Sequence, residues 1–289
     1  MTPSSTSPPF MPRPLLHFTH GNSYPSGAYG RLLEALGQDY DVRVTDMLGH
    51  DPRFPVDDNW RSLVDELIAR LEQHDRPAIL VGHSLGGAVS ALAAWRRPDL
   101  ASSVVMLDSP VVAGWRAHVW RLAKALGLGR KLSPGGIAER RREVWPSRAA
   151  AYEHFMAKPI FQAWATGALD DYLEHGLAPA AGNAGGVRLR FRREVEAAIY
   201  ATLPHDLGAL LRKPFPVPVG FIAGTRSNEL RQAGLAATRS LVGDNLMTIE
   251  GTHLYPMESP ALTARLTHAM IERLLAGQGA QAERAQVAV

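Results

Sequence analysis

Residues 79–88 have the sequence ILVGHSLGGA, in which an apolar segment meets a segment of small residues at a single serine. The apolar start is typical of a buried strand, and the residues from Leu85 onward are typical of a helix. Gly82, Ser84 and Gly86 form the pattern G-x-S-x-G. Such a sharp strand-to-helix turn exposes the serine hydroxyl and brings its flanking positions so close that both must be small. The pattern predicts Ser84 as a nucleophile, with the Leu85 amide at the helix start directed towards a developing oxyanion.

Short apolar segments alternate with helical patterns on both sides of this turn. We predict strands at 15–18, 41–45, 78–81, 103–107, 217–222 and 245–249. Helices are expected at 29–36, 60–71, 85–95, 229–241 and 261–275, and Gly37 is expected to end the first of them with a positive φ. This alternation predicts an α/β fold with a mostly parallel central sheet and helices on both faces.

The alternation is interrupted once, which divides the chain into segments. Residues 14–110 and 211–276 form the predicted α/β core, and residues 111–210 form a helical insertion without a convincing run of buried strands. The proline-rich residues 1–13 are predicted to be a disordered leader, and the Gln/Ala-rich residues 277–289 a frayed tail.

Composition narrows the function classes. The 289 residues include no cysteine, which excludes disulfides, thiolate metal sites and cysteine nucleophiles. The net charge of +3 does not indicate a nucleic-acid-binding protein. No apolar run reaches the ~18–20 residues of a membrane span, and no metal cluster, phosphate loop or dinucleotide pattern occurs. We therefore expect a cytoplasmic monomer or homodimer that acts on a small-molecule substrate without a metal or cofactor.

Three motifs resemble the α/β-hydrolase superfamily, in particular its esterase and lipase-like members. Residues 82–87 are similar to its nucleophile elbow, and His20-Gly21-Asn22 resembles the HG-x loop that follows its first core strand. That resemblance implies the backbone amide of Asn22 as the second oxyanion donor, with Ser23 as the alternative. Residues 46–50 resemble the D-x-x-G-H-G stretch after the next strand, which is usually structural. The resemblance covers roughly residues 14–110 and 215–275.

The same resemblance implies a base and an acid after Ser84. His253 lies in the loop between the last predicted strand and the C-terminal helix, where the family places its base. The family's usual acid position holds Ser227, which carries no charge. Two candidate acids remain, Asp108 at the end of a predicted strand and Glu229 at the start of a helix. Asp108 is favoured because some superfamily members keep their acid there, and a weakened Ser84–His253 dyad is the third alternative.

The insertion resembles the cap that covers the active site in many superfamily members. It supplies Trp115 and Trp164, which together with His83 are the candidate substrate-binding residues. Its arginine-rich patches, 140–142 and 188–193, are typical of solvated faces, with docking of an acidic carrier protein or a carboxylated substrate as the alternative.

The resemblance implies a serine hydrolase that cleaves a carboxylic ester of a small or medium apolar substrate through an acyl-enzyme. A C–C bond hydrolase or haloperoxidase-like enzyme on the same fold remains an alternative, as does a ligand-sensing member without turnover.

Overall fold

The centre of the molecule is a sheet of parallel strands. A computed structural model describes residues 12–182, 185–211 and 214–287; the predicted leader up to residue 11 and the last two residues of the predicted tail lie outside the described residues. In chain order the strands are β1 (Leu15–Thr19), β2 (Asp41–Thr45), β3 (Ala78–His83), β4 (Ala101–Leu107), β5 (Val144–Trp145), β6 (Leu177–Pro179), β7 (Val187–Leu189), β8 (Val219–Gly224) and β9 (Leu246–Ile249).

Helices fill most of the intervening chain. They are α1 (Gly30–Leu36), α2 (Arg61–Leu71), α3 (Leu85–Arg96), α4 (Trp115–Ala125), α5 (Gly129–Leu132), α6 (Gly135–Ala138), α7 (Arg148–Met156), α8 (Pro159–Gln162), α9 (Ala168–Gly176), α10 (Arg193–Ala201), α11 (Asn228–Ala233), α12 (Ala236–Val242), α13 (Tyr255–Glu258) and α14 (Pro260–Val287). Short 3₁₀ turns occur at Ser26–Tyr29, Asp58–Trp60, Pro98–Leu100 and Leu207–Leu211. Among the described helices, none is both long and apolar enough to cross a bilayer.

The sheet has the strand order β2-β1-β3-β4-β8-β9, and each of these neighbours pairs in parallel. Because side chains alternate across a strand, the two faces have separate cores. Leu80 packs on one face with the apolar sides of α2 and α3, and Ile79 and Val81 pack on the other with α1 and α14. The predicted α/β fold with a mostly parallel sheet is confirmed.

Parallel strands bring their carboxyl ends to one edge, and the loops that leave this edge carry the candidate site residues. Asn22 follows β1, Ser84 follows β3, Asp108 follows β4 and His253 follows β9. Residues far apart in the chain are therefore gathered in one place by topology alone.

The structure differs from the sequence predictions in four places. The insertion between β4 and β8 contains a small antiparallel sheet, β5-β7-β6, that was not predicted. The helix predicted at 229–241 is two helices, because Gly234 between them has a φ of 79°. The last helix continues through the predicted tail to Val287. Gly37 ends α1 with a φ of −63°, so the expected positive φ was wrong.

The turn between β3 and α3 is fixed by close backbone contacts. Ser84 has a φ of 53° and a ψ of −117°, which is a strained conformation for a residue with a side chain. A Cβ on Gly82 would overlap the carbonyl group of Gly86. A Cβ on Gly86 would overlap the carbonyl oxygen of Thr19 and lie 2.7 Å from that of His20. Both positions therefore require glycine.

We predict that Gly86→Ala lowers the free energy of unfolding by about 3 kcal/mol, because the start of helix α3 would have to separate from the backbone at the end of strand β1. Gly277→Ala is the matched control, since a Cβ there meets no atom within 4 Å in helix α14. It should change stability by no more than about 1 kcal/mol, in the stabilising direction. Urea unfolding of both variants measures the difference, and an unchanged midpoint for Gly86→Ala would contradict the close packing described here.

Candidate active site

Ser84, His253 and Asp108 form one hydrogen-bonded array. The Oγ atom of Ser84 lies 2.9 Å from Nε2 of His253, and Nδ1 of the same ring lies 2.7 Å from Oδ2 of Asp108. An ionised carboxylate only accepts hydrogen bonds, so Nδ1 carries the ring proton of a neutral His253. Nε2 then has a free lone pair that accepts the Ser84 hydroxyl proton.

Asp108 is the more deeply placed of the two candidate acids. Its side chain has no exposed surface, and it also accepts hydrogen bonds from the Gly224 amide (2.8 Å) and the Ser227 hydroxyl. Burial alone would raise the pKa of this carboxyl, but hydrogen bonds from His253, Ser227 and Gly224, with the charge of His253, hold the pKa below its usual value.

Glu229 lies farther from the base and in contact with solvent. Its Oε2 atom is 3.9 Å from Nδ1 of His253, and its side chain is 52% exposed. The neighbouring Ser227 caps α11 by accepting a hydrogen bond from the Leu230 amide, and it donates to Asp108. Ser227, which the resemblance places at the usual acid position, thus donates a hydrogen bond to the carboxylate of Asp108 at the end of the adjacent strand β4.

Asn22 lines the same cavity as Ser84, and Leu85 follows Ser84 directly in the chain. Leu85 is the first residue of α3, so its amide has no carbonyl one turn earlier in the helix to bond. Asn22 is buried in the loop after β1, and its side-chain amide donates to the carbonyl oxygen of Glu196, 3.1 Å away. Ser23, which has a φ of 80°, bonds the Glu196 carboxylate through its hydroxyl.

Glu196 links this loop to the insertion through a buried ion pair. Its Oε2 atom lies 2.9 Å from Nη1 of Arg141, whose other terminal nitrogen donates to the hydroxyl of Tyr172. The prediction of a solvated arginine face at 140–142 is therefore wrong for Arg141, which points inward. No sequence pattern indicates this pair, because Arg141 and Glu196 are 55 positions apart.

His83 occupies a fixed position beside the base. Its Nε2 atom lies 2.8 Å from the carbonyl oxygen of His253, so Nε2 carries the proton and Nδ1 accepts from the Tyr29 hydroxyl at 2.7 Å. The Gly21 amide in turn donates to the Tyr29 oxygen. Both ring nitrogens are occupied within the protein, so the His83 ring can offer a substrate only its surface.

The cavity above Ser84 has a volume of about 470 Å³. The insertion contributes Pro159, Ile160, Ala163 and Tyr200 to its lining, and the core contributes Gly21, Asn22, Tyr24, His83, Ser84, Asn228, Glu229, Thr252, His253, Leu254 and Glu258.

Neither predicted tryptophan belongs to this lining among the described residues. Trp115 is exposed on α4, and Trp164 is packed against Phe161 and Tyr172 in the core. Their placement as substrate-binding residues is corrected accordingly. The residues found instead, Ile160 and Tyr200, are scattered single positions that no motif marked.

Asp108, Glu229 and His253 are also close enough together to share a metal ion. In the tautomer required by the hydrogen bond to Asp108, however, Nδ1 of His253 bears a proton and has no lone pair for a metal.

Two buried histidines near Ser84 predict how stability depends on pH. Burial lowers the pKa of His20 to about 4 and that of His83 to about 3. In the unfolded chain both titrate near pH 6.5, so below this pH the unfolded state binds protons that the native state does not. Stability is therefore fully present above about pH 6.5, and each residue lowers it by up to about 1.4 kcal/mol per pH unit as the pH falls towards 4.

Urea unfolding at about pH 7, 6 and 5 measures this loss. His83→Gln should reduce the slope, and His118→Asn, on the exposed face of α4, should leave it unchanged. A free energy of unfolding that stays flat across this range would show that the two rings are not held neutral.

Comparison with known proteins places this chain among its relatives. The model of the Alpha/beta hydrolase family matches residues 18–266. Lipase LipV of Mycobacterium tuberculosis is 38% identical over 91 residues, which are 29% of this chain and 34% of the lipase. Monoglyceride lipase of Mus musculus is 32% identical over 112 residues, 35% of this chain and 37% of that protein. The matched segment thus spans about a third of the length of each of these relatives.

Solved structures share the fold over most of the chain. E-2-(acetamidomethylene)succinate hydrolase has a TM-score of 0.67 at 24% identity, covering 90% of this chain and 91% of that one. The thioesterase domain from the curacin biosynthetic pathway has a TM-score of 0.68 at 18% identity, with coverage of 88% and 90%. At these identities the likeness extends to the fold alone. The family match, which spans most of the chain, shows that this protein belongs to the α/β-hydrolase family.

Proposed function

We propose that this protein hydrolyses a carboxylic ester of a small or medium apolar substrate through an acyl-enzyme at Ser84. The observation that carries the proposal is the array of Ser84, His253 and Asp108, with distances of 2.9 and 2.7 Å, at a cavity of about 470 Å³. A nucleophile, a base and an orienting carboxylate within hydrogen-bonding reach are the parts that acyl transfer requires.

In the first half of the proposed reaction, Oγ of Ser84 attacks the ester carbonyl carbon while Nε2 of His253 takes the hydroxyl proton. The carbonyl oxygen becomes an oxyanion that accepts hydrogen bonds from the backbone amides of Asn22 and Leu85. The bond to the alkoxy oxygen then breaks, and that oxygen leaves as an alcohol with the proton held on His253. Asp108 stabilises the imidazolium between these two transfers.

In the second half, a water molecule gives a proton to Nε2 of His253 and attacks the acyl-enzyme carbonyl. The bond to Ser84 breaks, and Oγ recovers the proton from His253. The products are a carboxylic acid and an alcohol, and the protein returns to its starting state.

The insertion supports the substrate class. Ile160, Ala163 and Pro159 place apolar surface opposite the core residues of the cavity. We propose that residues 111–210 act as a cap. Apolar walls over Ser84 would exclude bulk water from the ester while the acyl-enzyme forms. The cavity volume falls in the range that holds a small or medium ligand, and the lipase names of two relatives fit an ester substrate.

A serine-directed probe tests the nucleophile. A fluorophosphonate should label Ser84, and purified protein should hydrolyse short p-nitrophenyl esters. Ser84→Ala should abolish labelling and lower turnover about 10⁴–10⁶-fold, since the members of such an array act as a unit.

Ser62→Ala, on helix α2, is the matched serine control and should behave as wild type. Folded Ser84→Ala that retains more than about a tenth of wild-type turnover would refute the mechanism. Labelling without turnover across a panel of acyl-chain lengths would favour a ligand-sensing protein instead.

A second pair of variants distinguishes the two acids. Asp108→Asn keeps the shape but removes the buried charge, so kcat should fall about 10²–10⁴-fold with the fold preserved by circular dichroism. Glu229→Gln, at an exposed carboxyl 3.9 Å from the base, should change kcat less than about tenfold. Both are measured with one activated ester at saturation. The opposite pattern, with the larger loss in Glu229→Gln, would assign Glu229 as the acid.

A further inference from the structure

Helix α4 carries its large apolar side chains on the outside of the protein. Trp115, Val119 and Leu122 are 68%, 58% and 61% exposed, and Leu126, just beyond the helix end, is 64% exposed. Their spacing of four, three and four residues places them in one line along the helix. We call these four side chains the apolar ridge.

The orientation of α4 is fixed by hydrogen bonds on its other face. The Trp120 indole donates to the carbonyl oxygen of Leu203 at 2.8 Å, and Nζ of Lys124 donates to the same oxygen at 2.9 Å. Ala117 and Ala123 are buried beside them. The helix thus turns a lysine inward and its apolar residues outward, the reverse of a helix that covers a core.

Exposed apolar surface is concentrated in this part of the insertion. Six of the ten large apolar side chains that are exposed in the described chain lie between Trp115 and Ile137. Single exposed apolar residues are ordinary on protein surfaces, but a contiguous line of them marks a surface that another body covers.

The chain segment that carries the ridge has charges of one sign, and the carboxylates beside it include Asp58 and Glu139. Residues 109–138 contain five cations (Arg116, Arg121, Lys124, Arg130 and Lys131) and no acidic residue. Lys124 pairs with Asp58, and Arg130 pairs with Glu139. Within the described chain, Arg116, Arg121 and Lys131 have no carboxylate within 4.0 Å. Beside the end of α4, a concave surface of about 490 Å³ is lined by Arg121, Lys124, Arg130 and His205, among others.

We propose that the apolar ridge and its flanking cations dock this protein on an anionic lipid surface. An interfacial helix that places tryptophan and leucine in the acyl boundary and arginine at the headgroups has this composition. A two-fold dimer through the ridge would bring the unpaired cations of both copies together, which opposes self-association. An anionic lipid surface neutralises them.

Vesicle sedimentation tests the docking. Wild-type protein should bind phosphatidylcholine vesicles that contain about a third phosphatidylglycerol, more tightly at low salt. Leu122→Ser/Leu126→Ser should lower the partition constant at least about tenfold, since it removes apolar contact with the acyl boundary. Arg116→Gln/Arg121→Gln should lower it about tenfold on anionic vesicles and change little on pure phosphatidylcholine.

Matched controls lie on β2, where Val44 and Arg43 are also exposed. Val44→Ser and Arg43→Gln should bind as wild type. Phosphatidylcholine with brominated acyl chains, mixed into the same vesicles, should quench tryptophan emission in wild type and much less in Trp115→Phe, which reports insertion of this side chain.

Ser84→Ala should bind vesicles as wild type, so the docking stands or falls separately from the proposed hydrolysis. Equal binding by wild type and the leucine variant overturns the proposal. The absence of vesicle binding also overturns it. In that case sedimentation equilibrium tests whether the ridge forms a dimer that the leucine variant dissociates, and a dimer or an acidic protein bound on the ridge would replace the lipid surface as its partner.

Discussion

The carboxylate of Asp108, at the end of β4 and with no exposed surface, accepts hydrogen bonds from two other loops: from Gly224 and Ser227 in the loop between β8 and α11, and from His253 in the loop after β9. A buried charge is costly unless it is fully bonded. This requirement draws the three loops together at the carboxyl edge of the sheet. Ser227 joins the array to secondary structure, because the same hydroxyl also caps the N-terminus of α11 by accepting a hydrogen bond from the Leu230 amide.

The insertion is tied to the core at the loop after β1. Glu196 bonds Ser23 and Asn22 on one side and Arg141 on the other, so the loop that carries the proposed oxyanion donor is held by residues of the insertion. An ion pair this well buried is strongly destabilising to break on one side alone. Substitution of Arg141 or Glu196 would thus alter the position of the Asn22 loop, although neither residue lines the cavity.

The parts of the fold that sequence predicted are those set by local physics. Ten consecutive residues, 79–88, contain both the glycines that the close backbone contacts require and the change from strand to helix at Ser84. Residue type alone does not choose between Asp108 and Glu229, because the position of the acid depends on which strand ends adjoin in the sheet, a long-range property. The two- and three-residue strands β5 and β6 are too short for any periodicity to show. A tryptophan such as Trp115 suits a pocket as well as a surface, so its residue type does not show where it lies. The hydrogen bonds of Trp120 and Lys124 determine which face of α4 is exposed.

The neutral state of His83 has an electrostatic consequence for its neighbour. The two imidazole rings of His83 and His253 have centroids 4.8 Å apart. Two positive charges at about this separation repel by roughly 3 kcal/mol at an effective dielectric constant near 20. Because burial lowers the pKa of His83 to about 3, His83 is uncharged when an imidazolium forms at His253. The proton of His83 stays on its Nε2 atom, which donates to the carbonyl oxygen of His253. The base thus has the carboxylates of Asp108 and Glu229 beside Nδ1, and the imidazolium formed during the reaction proposed here meets no repulsion from His83.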